Sequence, residues 1–165
     1  MRLIFLRHGE SEYNRRGLCN ADPGLPVPLT ATGLLQARDA ARRLADVPIR
    51  RVFVSRLRRV DARLDDRSTG FEDQPVADYL DTQQRAPDPF AWKAPGGESY
   101  RELVARVHGF LAEVCTLDEA AVLVVTHHQV MQAAAGYFRE LTPADMWRVW
   151  VDNGATLEFD TADAC

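Results

Sequence analysis

The chain is poor in cysteine, has no long apolar run and carries no surplus of positive charge. Its three cysteines, Cys19, Cys115 and Cys165, are widely spaced and form neither a CxxC pair nor a Cys/His pattern typical of zinc sites. The first apolar run, residues 3–6, is too short for a signal-peptide core or a membrane span. These shortages favour a cytoplasmic protein with reduced thiols.

The charge balance argues against two classes of partner. The 165 residues include 20 basic and 24 acidic side chains, which gives a net charge of -4. Nucleic acids and anionic membranes bind proteins largely through a surplus of lysine and arginine. We therefore expect neither as a partner, although a local basic pocket is compatible with these totals. The sequence does not determine the oligomeric state.

Strand and helix patterns alternate along the chain. Four apolar runs predict strands: residues 2–6, 51–54, 121–126 and 155–159. The first three lack polar alternation, which is typical of strands buried on both faces in a parallel sheet. Caps or helical periodicity predict four helices, which begin after Thr30 or Thr32, after Ser99, after His128 and after Thr142. This alternation predicts a layered α/β fold.

Basic and imidazole side chains directly follow three of the predicted strands. They are Arg7 and His8, the arginines at 56, 58 and 59, and His127 and His128. In open α/β sheets, ligands bind beyond the carboxyl ends of the strands, so we expect these side chains to converge. Guanidinium groups bind phosphate oxygens in a bidentate fork, and an imidazole serves as a donor or nucleophile. The pattern predicts a site for a phosphate dianion.

Each of these side chains alone is more often a surface or loop residue than a catalyst, so the prediction depends on their joint placement. Three other features have simpler explanations. His108 lies inside a predicted helix and suits a structural or exposed role, and Arg15 and Arg16 suit a solvated loop. No sequence feature activates Cys19 as a nucleophile.

The same segments resemble the histidine phosphatase superfamily, also called the phosphoglycerate mutase-like family. Similar motifs occur in the family's order at residues 6–11 (LRHGES), 28–33 (PLTATG), 55–59 (SRLRR), 97–99 (GES) and 125–127 (VTH). An RHG triplet alone is a weak signal. Several motifs in family order, each at a strand or helix end, are specific.

The resemblance implies a three-layer α/β sandwich, with a mostly parallel central sheet and helices on both faces, in a single domain over residues 1–165. It implies a metal-independent phosphatase without a cofactor, which hydrolyses phosphomonoesters of small metabolites through a phosphohistidine. His8 would be the nucleophile, with a backbone carbonyl of the following loop fixing its tautomer. Arg7, Asn14, Arg59 and His127 would surround the phosphoryl oxygens and bind the substrate.

The family's proton donor is an acidic residue shortly before a glycine, and residues 63–70 (RLDDRSTG) match that pattern. The resemblance places the acid at Asp66, with Asp65 as the alternative. Beside a bound phosphate a carboxyl tends to keep its proton, because two negative charges in one site oppose ionisation. Either residue could instead be a turn residue or a partner of Arg63 and Arg67.

The chain departs from the family pattern after Arg59. There the family has a helix with a QTA signature and then a strand, whereas here residues 61–64 lead directly to the acidic segment. A crossover between parallel neighbouring strands takes about a dozen residues or more. Either the chain lacks this helix or a segment is missing from the sequence, and because both flanking motifs are recognisable we favour the missing segment. The roles of Arg59 and Asp66 depend most on this junction.

Two alternative functions stay open. One is a phosphoglycerate-type mutase, although mutases of this family usually carry extra segments over the site. The other is a catalytically weakened module that binds phosphoesters, which the missing helix makes conceivable. Contacts to the leaving group are expected from residues 18–27 and 79–92, where Tyr79, Phe90 and Trp92 could touch the substrate or form a minor core under a lid.

Overall fold

Four strands and six α-helices alternate in the described part of this computed structural model, residues 1–20, 22, 24–55 and 61–163. The strands are β1 (Arg2–Arg7), β2 (Ile49–Val54), β3 (Ala121–Thr126) and β4 (Thr156–Asp160). The helices are α1 (Glu12–Arg16), α2 (Ala31–Arg43), α3 (Val76–Gln84), α4 (Tyr100–Val114), α5 (His128–Arg139) and α6 (Pro143–Met146). Short 3₁₀ helices occupy Ala62–Leu64 and Thr161–Asp163. No helix among these residues has the length and apolar character needed to cross a membrane.

The strands form one sheet in the order β2-β3-β1-β4. β1, β2 and β3 are parallel, and β4 pairs with β1 in the antiparallel direction. Arg7 at the end of β1 pairs with Thr126 at the end of β3, and β2 ends beside them at Val54. The residues that follow these three strands therefore meet at one edge of the sheet, as the sequence predicts.

Helices cover both faces of the sheet, which confirms the predicted three-layer α/β sandwich with a mostly parallel sheet. One face carries the main hydrophobic core, where strand residues pack against α4 and α5: Leu3, Phe5, Val122 and Val124. Ile4 points to the opposite face of β1, because successive side chains of a strand alternate. It is fully buried, as is Ala40 of α2. Full burial of a large apolar side chain such as Ile4 contributes about 1.5–3 kcal/mol to the free energy of unfolding.

Three of the four predicted helix starts have a side-chain cap, at Thr30, Ser99 and Thr142. α5 begins at His128 without one. At the start of α4, Ser99 Oγ accepts a hydrogen bond from the Glu102 N–H at 3.2 Å, and the Glu102 carboxylate accepts one from the Ser99 N–H at 2.8 Å. Thr30 caps α2 by accepting from the Gly33 N–H at 3.0 Å. These bonds satisfy N–H groups that have no partner inside the helix, so the helix positions follow directly from the sequence.

β2 differs from its prediction as a strand buried on both faces. It is an edge strand, and Arg50, Arg51 and Val52 are exposed, with 51% of Val52 accessible to solvent. The physical reason is the absence of a crossover helix directly after it, which in the family pattern would precede another strand. A parallel strand needs cover on both faces to bury its side chains, and β2 lacks part of that cover.

The missing-segment hypothesis concerns the junction after Arg59. Residues 56–60 lie outside the described residues, so the hypothesis stays a prediction. Next to this junction, the Asp61 N–H donates to the Val54 carbonyl at 3.3 Å. The sequence has too few residues between Val54 and Asp61 for a crossover helix.

The loop after β1 lies directly on the first turn of α2. A Cβ atom on Gly9 would overlap the Gly33 carbonyl, and one on Gly33 would overlap the backbone of Glu10. The Glu10 N–H donates to Gln36 Oε1 at 2.8 Å, and the Thr30 N–H donates to the Glu10 carbonyl at 2.9 Å. This backbone contact fixes the position of the loop that begins with His8.

We expect Gly33→Ala to lower the free energy of unfolding by about 1–3 kcal/mol, the usual cost of overpacking, because its methyl group pushes against the Glu10 backbone. Gly109→Ala is the matched control, since Gly109 is exposed within α4 and a methyl group there meets no atom within 4 Å. This control should raise stability by about 0.5–1 kcal/mol. Urea denaturation measures both, and a Gly33→Ala protein as stable as the parent would contradict the contact.

Candidate active site

A cleft of about 780 Å³ opens at the carboxyl ends of the parallel strands. Five residues that the sequence predicts for the site line it together: Arg7, His8, Asn14, Asp66 and His127. The sixth, Arg59, lies outside the described residues. Ser55 and Gln129 also line the cleft and complete its polar part at the ends of β2 and β3.

A single hydrogen bond determines the tautomer of His8. Its Nδ1–H donates to the Gly9 carbonyl at 2.7 Å, and because a carbonyl can only accept, Nδ1 carries the proton and Nε2 is unprotonated. Burial, together with the neighbouring His127, lowers the pKa of His8 to about 4. The ring is therefore neutral near pH 7, with a free lone pair on Nε2. This bond confirms the prediction that a backbone carbonyl of the following loop fixes the tautomer of His8.

His127 lies beside His8 at the start of α5, with the ring centroids 5.0 Å apart and the ring planes 62° from parallel. Its Nε2 and Ser55 Oγ are 3.0 Å apart, within hydrogen-bond distance, and both residues are buried. Its Nδ1 lies 3.8 Å from the Asp66 carboxylate, which is too far for a hydrogen bond. Burial lowers the pKa of His127, and the charge of Asp66 partly opposes this shift.

Ser55 is a positioning residue that the sequence reasoning did not assign. It holds the His127 ring from the end of the neighbouring strand β2. The available signal was its place directly after a predicted strand, as the first residue of the motif at residues 55–59.

Arg7 supplies fixed positive charge to the cleft. Its Nη1 donates to the Val151 carbonyl at 2.7 Å, which anchors the guanidinium, while Nε is buried and has no hydrogen-bond partner among the described residues. Burial lowers the pKa of Arg7, and the carboxylates of Asp66 and Asp152 oppose that shift. An arginine keeps its proton in proteins, so Arg7 remains a cation with donors available for an anion.

The two candidate acids occupy different places. Asp66 lines the cleft, where its Oδ1 accepts from the Arg67 N–H at 2.9 Å. Asp65 does not line this cleft, and its carbonyl accepts from Arg106 Nη2 at 2.9 Å. The geometry therefore favours Asp66 as the acid next to the histidines.

Asn14 is held by its own side-chain oxygen. Asn14 Oδ1 accepts from the Ser11 N–H at 3.0 Å and from Asn153 Nδ2 at 3.3 Å, so that its own amide N–H groups remain for a ligand. Asn153 Nδ2 also donates to the His8 carbonyl at 3.1 Å. Asn153 thus ties the segment before β4 to the end of β1.

Two other histidines, His128 and His108, lie outside the cleft. His128 Nδ1 lies 3.3 Å from the Val151 carbonyl, and its ring packs on Trp150 outside the cleft. His108 is part of α4 and donates from Nε2 to the Ala133 carbonyl at 3.1 Å, which agrees with a structural role. Among the described residues, no group of three or more His, Cys, Asp or Glu side chains could hold a metal ion.

Cys19 lines the cleft as a buried, free thiol. Burial raises its pKa, so the thiol form predominates and the sulfur is a poor nucleophile. This agrees with the absence of an activating feature in its sequence surroundings.

The outer part of the cleft is apolar. Side chains from the loop after α1, from α2 and from α3 form this wall: Leu18, Val27, Leu34, Val76 and Leu80. Trp92 packs against Phe71 and Tyr79, with ring centroids 6.4 and 5.9 Å away, and Phe90 packs against the main core. Phe71, Tyr79 and Trp92 therefore form a minor core, whereas Phe90 belongs to the main one. Of the predicted contacts Tyr79, Phe90 and Trp92, Tyr79 alone lines the cleft among the described residues.

Comparison with models of protein families identifies the family of this chain. Residues 3–69 and 59–164 match the model of the histidine phosphatase superfamily (branch 1). The chain belongs to the histidine phosphatase superfamily. The two matched stretches overlap at residues 59–69, next to the point where this histidine phosphatase lacks the helix after β2.

Curated relatives of this histidine phosphatase include the adenosylcobalamin/alpha-ribazole phosphatase of Salmonella typhi, which is 28% identical over 189 residues. The match covers 100% of this chain and 91% of the relative. The 6-phosphofructo-2-kinase/fructose-2,6-bisphosphatase 4 of Rattus norvegicus is 29% identical over 159 residues. That match covers 83% of this chain but 33% of the relative, so the chain spans about a third of the longer protein.

A solved structure, the mycobacterial glucosyl-3-phosphoglycerate phosphatase in complex with VO3, superposes with a TM-score of 0.79. The match covers 98% of this chain and 94% of that one at 23% identity. This likeness shows that the two chains share their fold.

The pKa of His8 is a direct test of the site. In the ligand-free protein, NMR titration should give a pKa of about 4, because burial and the adjacent His127 disfavour the charged ring. The signal is assigned by its loss in His8→Ala. A pKa at or above the ordinary value of 6.5 would contradict the described environment.

Proposed function

We propose that this chain is a phosphatase that hydrolyses phosphomonoesters of small metabolites through a phosphohistidine at His8, without a metal ion. The observation that carries the proposal is the locked tautomer of His8, whose unprotonated Nε2 lies in a cleft with a guanidinium and a carboxyl group. Relatives named as phosphatases support the same reaction class.

The substrate binds with its phosphate among the polar residues and its organic part along the apolar wall. Arg7, Asn14 and His127 donate hydrogen bonds to the phosphoryl oxygens, and Arg59 is proposed to join them. A dianion favours the charged form of a nearby imidazole, so binding counteracts the effect of burial on His127. Arg7, Asn14 and His127 line the cleft before the reaction, which lets them stabilise charge that develops in the transition state.

In the first chemical step, His8 Nε2 attacks phosphorus, and the bond from phosphorus to the leaving oxygen breaks. Asp66 gives its proton to that oxygen, so the product leaves as a neutral alcohol and His8 carries the phosphoryl group. The Gly9 carbonyl keeps its hydrogen bond to Nδ1–H and stabilises the positive charge that the ring acquires on phosphorylation.

In the second step, a water molecule attacks the phosphoryl group. Asp66, now a carboxylate, accepts a proton from this water, and the bond from phosphorus to Nε2 breaks. Phosphate leaves, and His8 and Asp66 return to their starting protonation states. Covalent catalysis of this kind replaces one difficult displacement by two easier ones.

We expect the purified protein to release inorganic phosphate from p-nitrophenyl phosphate, glycerol 3-phosphate and 3-phosphoglycerate. Isomerisation of 3-phosphoglycerate without phosphate release would show a mutase instead. Phosphate binding without turnover of any of these compounds would show a weakened binding module. A phosphate-release assay, combined with chromatography of the phosphoglycerates, distinguishes the three outcomes.

The role of Asp66 as the acid can be tested with the neighbouring Asp65 as a matched control. Asp66→Asn should lower kcat/KM for glycerol 3-phosphate by about 100- to 10,000-fold, because the alkoxide leaves poorly without a proton. The effect on p-nitrophenyl phosphate should be much smaller, since p-nitrophenolate leaves readily. Asp65→Asn should change either value by about twofold or less, as is usual for substitutions away from a site. Equal effects of the two variants would contradict the role of Asp66.

A further inference from the structure

The segment that carries Asp66 has no long helix or strand of its own. A 3₁₀ helix of three residues, Ala62–Leu64, precedes it, and the sequence has too few residues between Val54 and Asp61 for a crossover helix. Connecting segments are more mobile than the elements they join. An acid that gives its proton to a leaving oxygen has to lie within hydrogen-bond distance of that oxygen. The position of Asp66 therefore depends on contacts from elsewhere in the fold.

Two of these contacts come from one arginine of α4. Arg106 Nη1 donates to the Arg63 carbonyl at 2.8 Å, and Arg106 Nη2 donates to the Asp65 carbonyl at 2.9 Å. The second carbonyl belongs to the residue directly before Asp66. A guanidinium holds its N–H groups in one rigid plane, so the two bonds together fix the backbone that leads to Asp66.

A carboxylate orients the Arg106 guanidinium. Glu98 Oε1 accepts from Arg106 Nε at 2.6 Å, and Glu98 Oε2 accepts from Arg106 Nη2 at 2.8 Å, which is a bidentate arrangement. The two side chains are 20% and 21% accessible to solvent, so the pair is largely shielded from water. The Glu98 N–H also donates to the Ser68 carbonyl at 2.7 Å. Glu98 thus supports the segment before Asp66 through Arg106 and the segment after it directly.

Thr126, the last residue of β3, makes a further contact to the same segment. Its Oγ1 donates to the Leu64 carbonyl at 2.6 Å, and both residues are buried. Three successive carbonyls, at residues 63–65, therefore each accept a side-chain hydrogen bond. Thr126 directly precedes His127, so these bonds join the segment of the proposed acid to the strand that places His127.

We propose that Arg106 is a positioning residue for Asp66, which it holds at the cleft through the carbonyls of residues 63 and 65. Arg106 does not line the cleft with His8, so it acts through the backbone and not on the substrate. An ion pair with Glu98 alone would leave the segment untouched, whereas the two bonds to carbonyls couple Arg106 to it. This inference rests on the proposed function, in which Asp66 gives its proton to the leaving oxygen.

A misplaced acid should resemble a missing one in its dependence on the leaving group. Arg106→Met should lower kcat/KM for glycerol 3-phosphate by about 10- to 100-fold, because a shift on the order of 1 Å in a reacting group costs about this much. The value for p-nitrophenyl phosphate should change by about twofold or less, since p-nitrophenolate leaves without a proton. Steady-state kinetics on both substrates measure this difference.

The Asp66→Asn background separates positioning from a general loss of structure. Adding Arg106→Met to Asp66→Asn should lower kcat/KM for glycerol 3-phosphate by about twofold or less, because groups that act as one unit have non-additive effects. A merely structural role would instead give the same loss in both backgrounds, and this result would overturn the proposal.

Two arginine variants serve as controls. Arg101→Met removes an exposed arginine of α4 that pairs with Asp88, and it should leave both substrates unaffected. Arg106→Lys keeps the charge but cannot bind both carbonyls and the Glu98 carboxylate at once, so its activity should stay closer to that of Arg106→Met than to the wild type. Full activity of Arg106→Lys would show that charge alone matters and would overturn the positioning role.

Hydrogen exchange measures the same coupling without turnover. Exchange of the amide hydrogens of residues 63–68 should become about tenfold faster in Arg106→Met and stay unchanged in Arg101→Met. Should Arg106→Met fail to fold, as melting curves would show, Glu98→Gln weakens the orienting pair and should accelerate exchange about 3- to 10-fold. Unchanged exchange in a folded variant would overturn the proposal. Absence of phosphate release from the wild-type protein, with the exchange result as expected, would contradict only the proposed function.

Discussion

A 2.7 Å hydrogen bond from His8 Nδ1–H to the Gly9 carbonyl makes Nε2 the unprotonated nitrogen of His8, and the chemistry of the cleft depends on it. The acceptor belongs to a backbone that cannot shift freely, since Gly9 lies against Gly33 and Glu10 is bound by the cap of α2. Burial reinforces the same state by lowering the pKa of His8. Backbone packing and desolvation therefore keep the ring of His8, the proposed nucleophile, neutral.

The cleft also shows how a chain with a net charge of -4 can concentrate positive charge locally. Arg7 lines the cleft, and its guanidinium is anchored to the Val151 carbonyl. A low local dielectric strengthens the interaction of such a charge with an anion. Under the proposed function, Arg7 supplies positive charge before binding, and a bound dianion then favours the charged form of His127.

Much of this arrangement could be predicted from the sequence, because its determinants are local. Apolar runs marked the strands, and Ser99, Thr30 and Thr142 marked helix starts by their capping chemistry. Polar residues at the ends of parallel strands must meet at one edge, so the grouping of Arg7, His8 and His127 followed from topology. The family resemblance then supplied their roles as hypotheses.

The features that the sequence did not reveal depend on tertiary contacts. α1 is only five residues long, and α3 begins without a side-chain cap, so neither had a strong local signal. The exposure of β2 depends on a helix that is absent, and the pairing of Ser55 with His127 joins residues 72 positions apart. The burial of Arg67 between aromatic rings from two helices could not be deduced from its place in a polar segment.

The central claim is that His8 Nε2 becomes covalently phosphorylated during turnover. The most direct measurement is to mix the protein with p-nitrophenyl phosphate, quench in alkali, where phosphohistidine survives, and locate the modification by peptide mass spectrometry. We expect one phosphoryl group on His8, which decays as free phosphate appears. The phosphoryl group should be absent in His8→Ala. Turnover with the phosphoryl group on another residue, or with an unmodified His8 throughout, would contradict it.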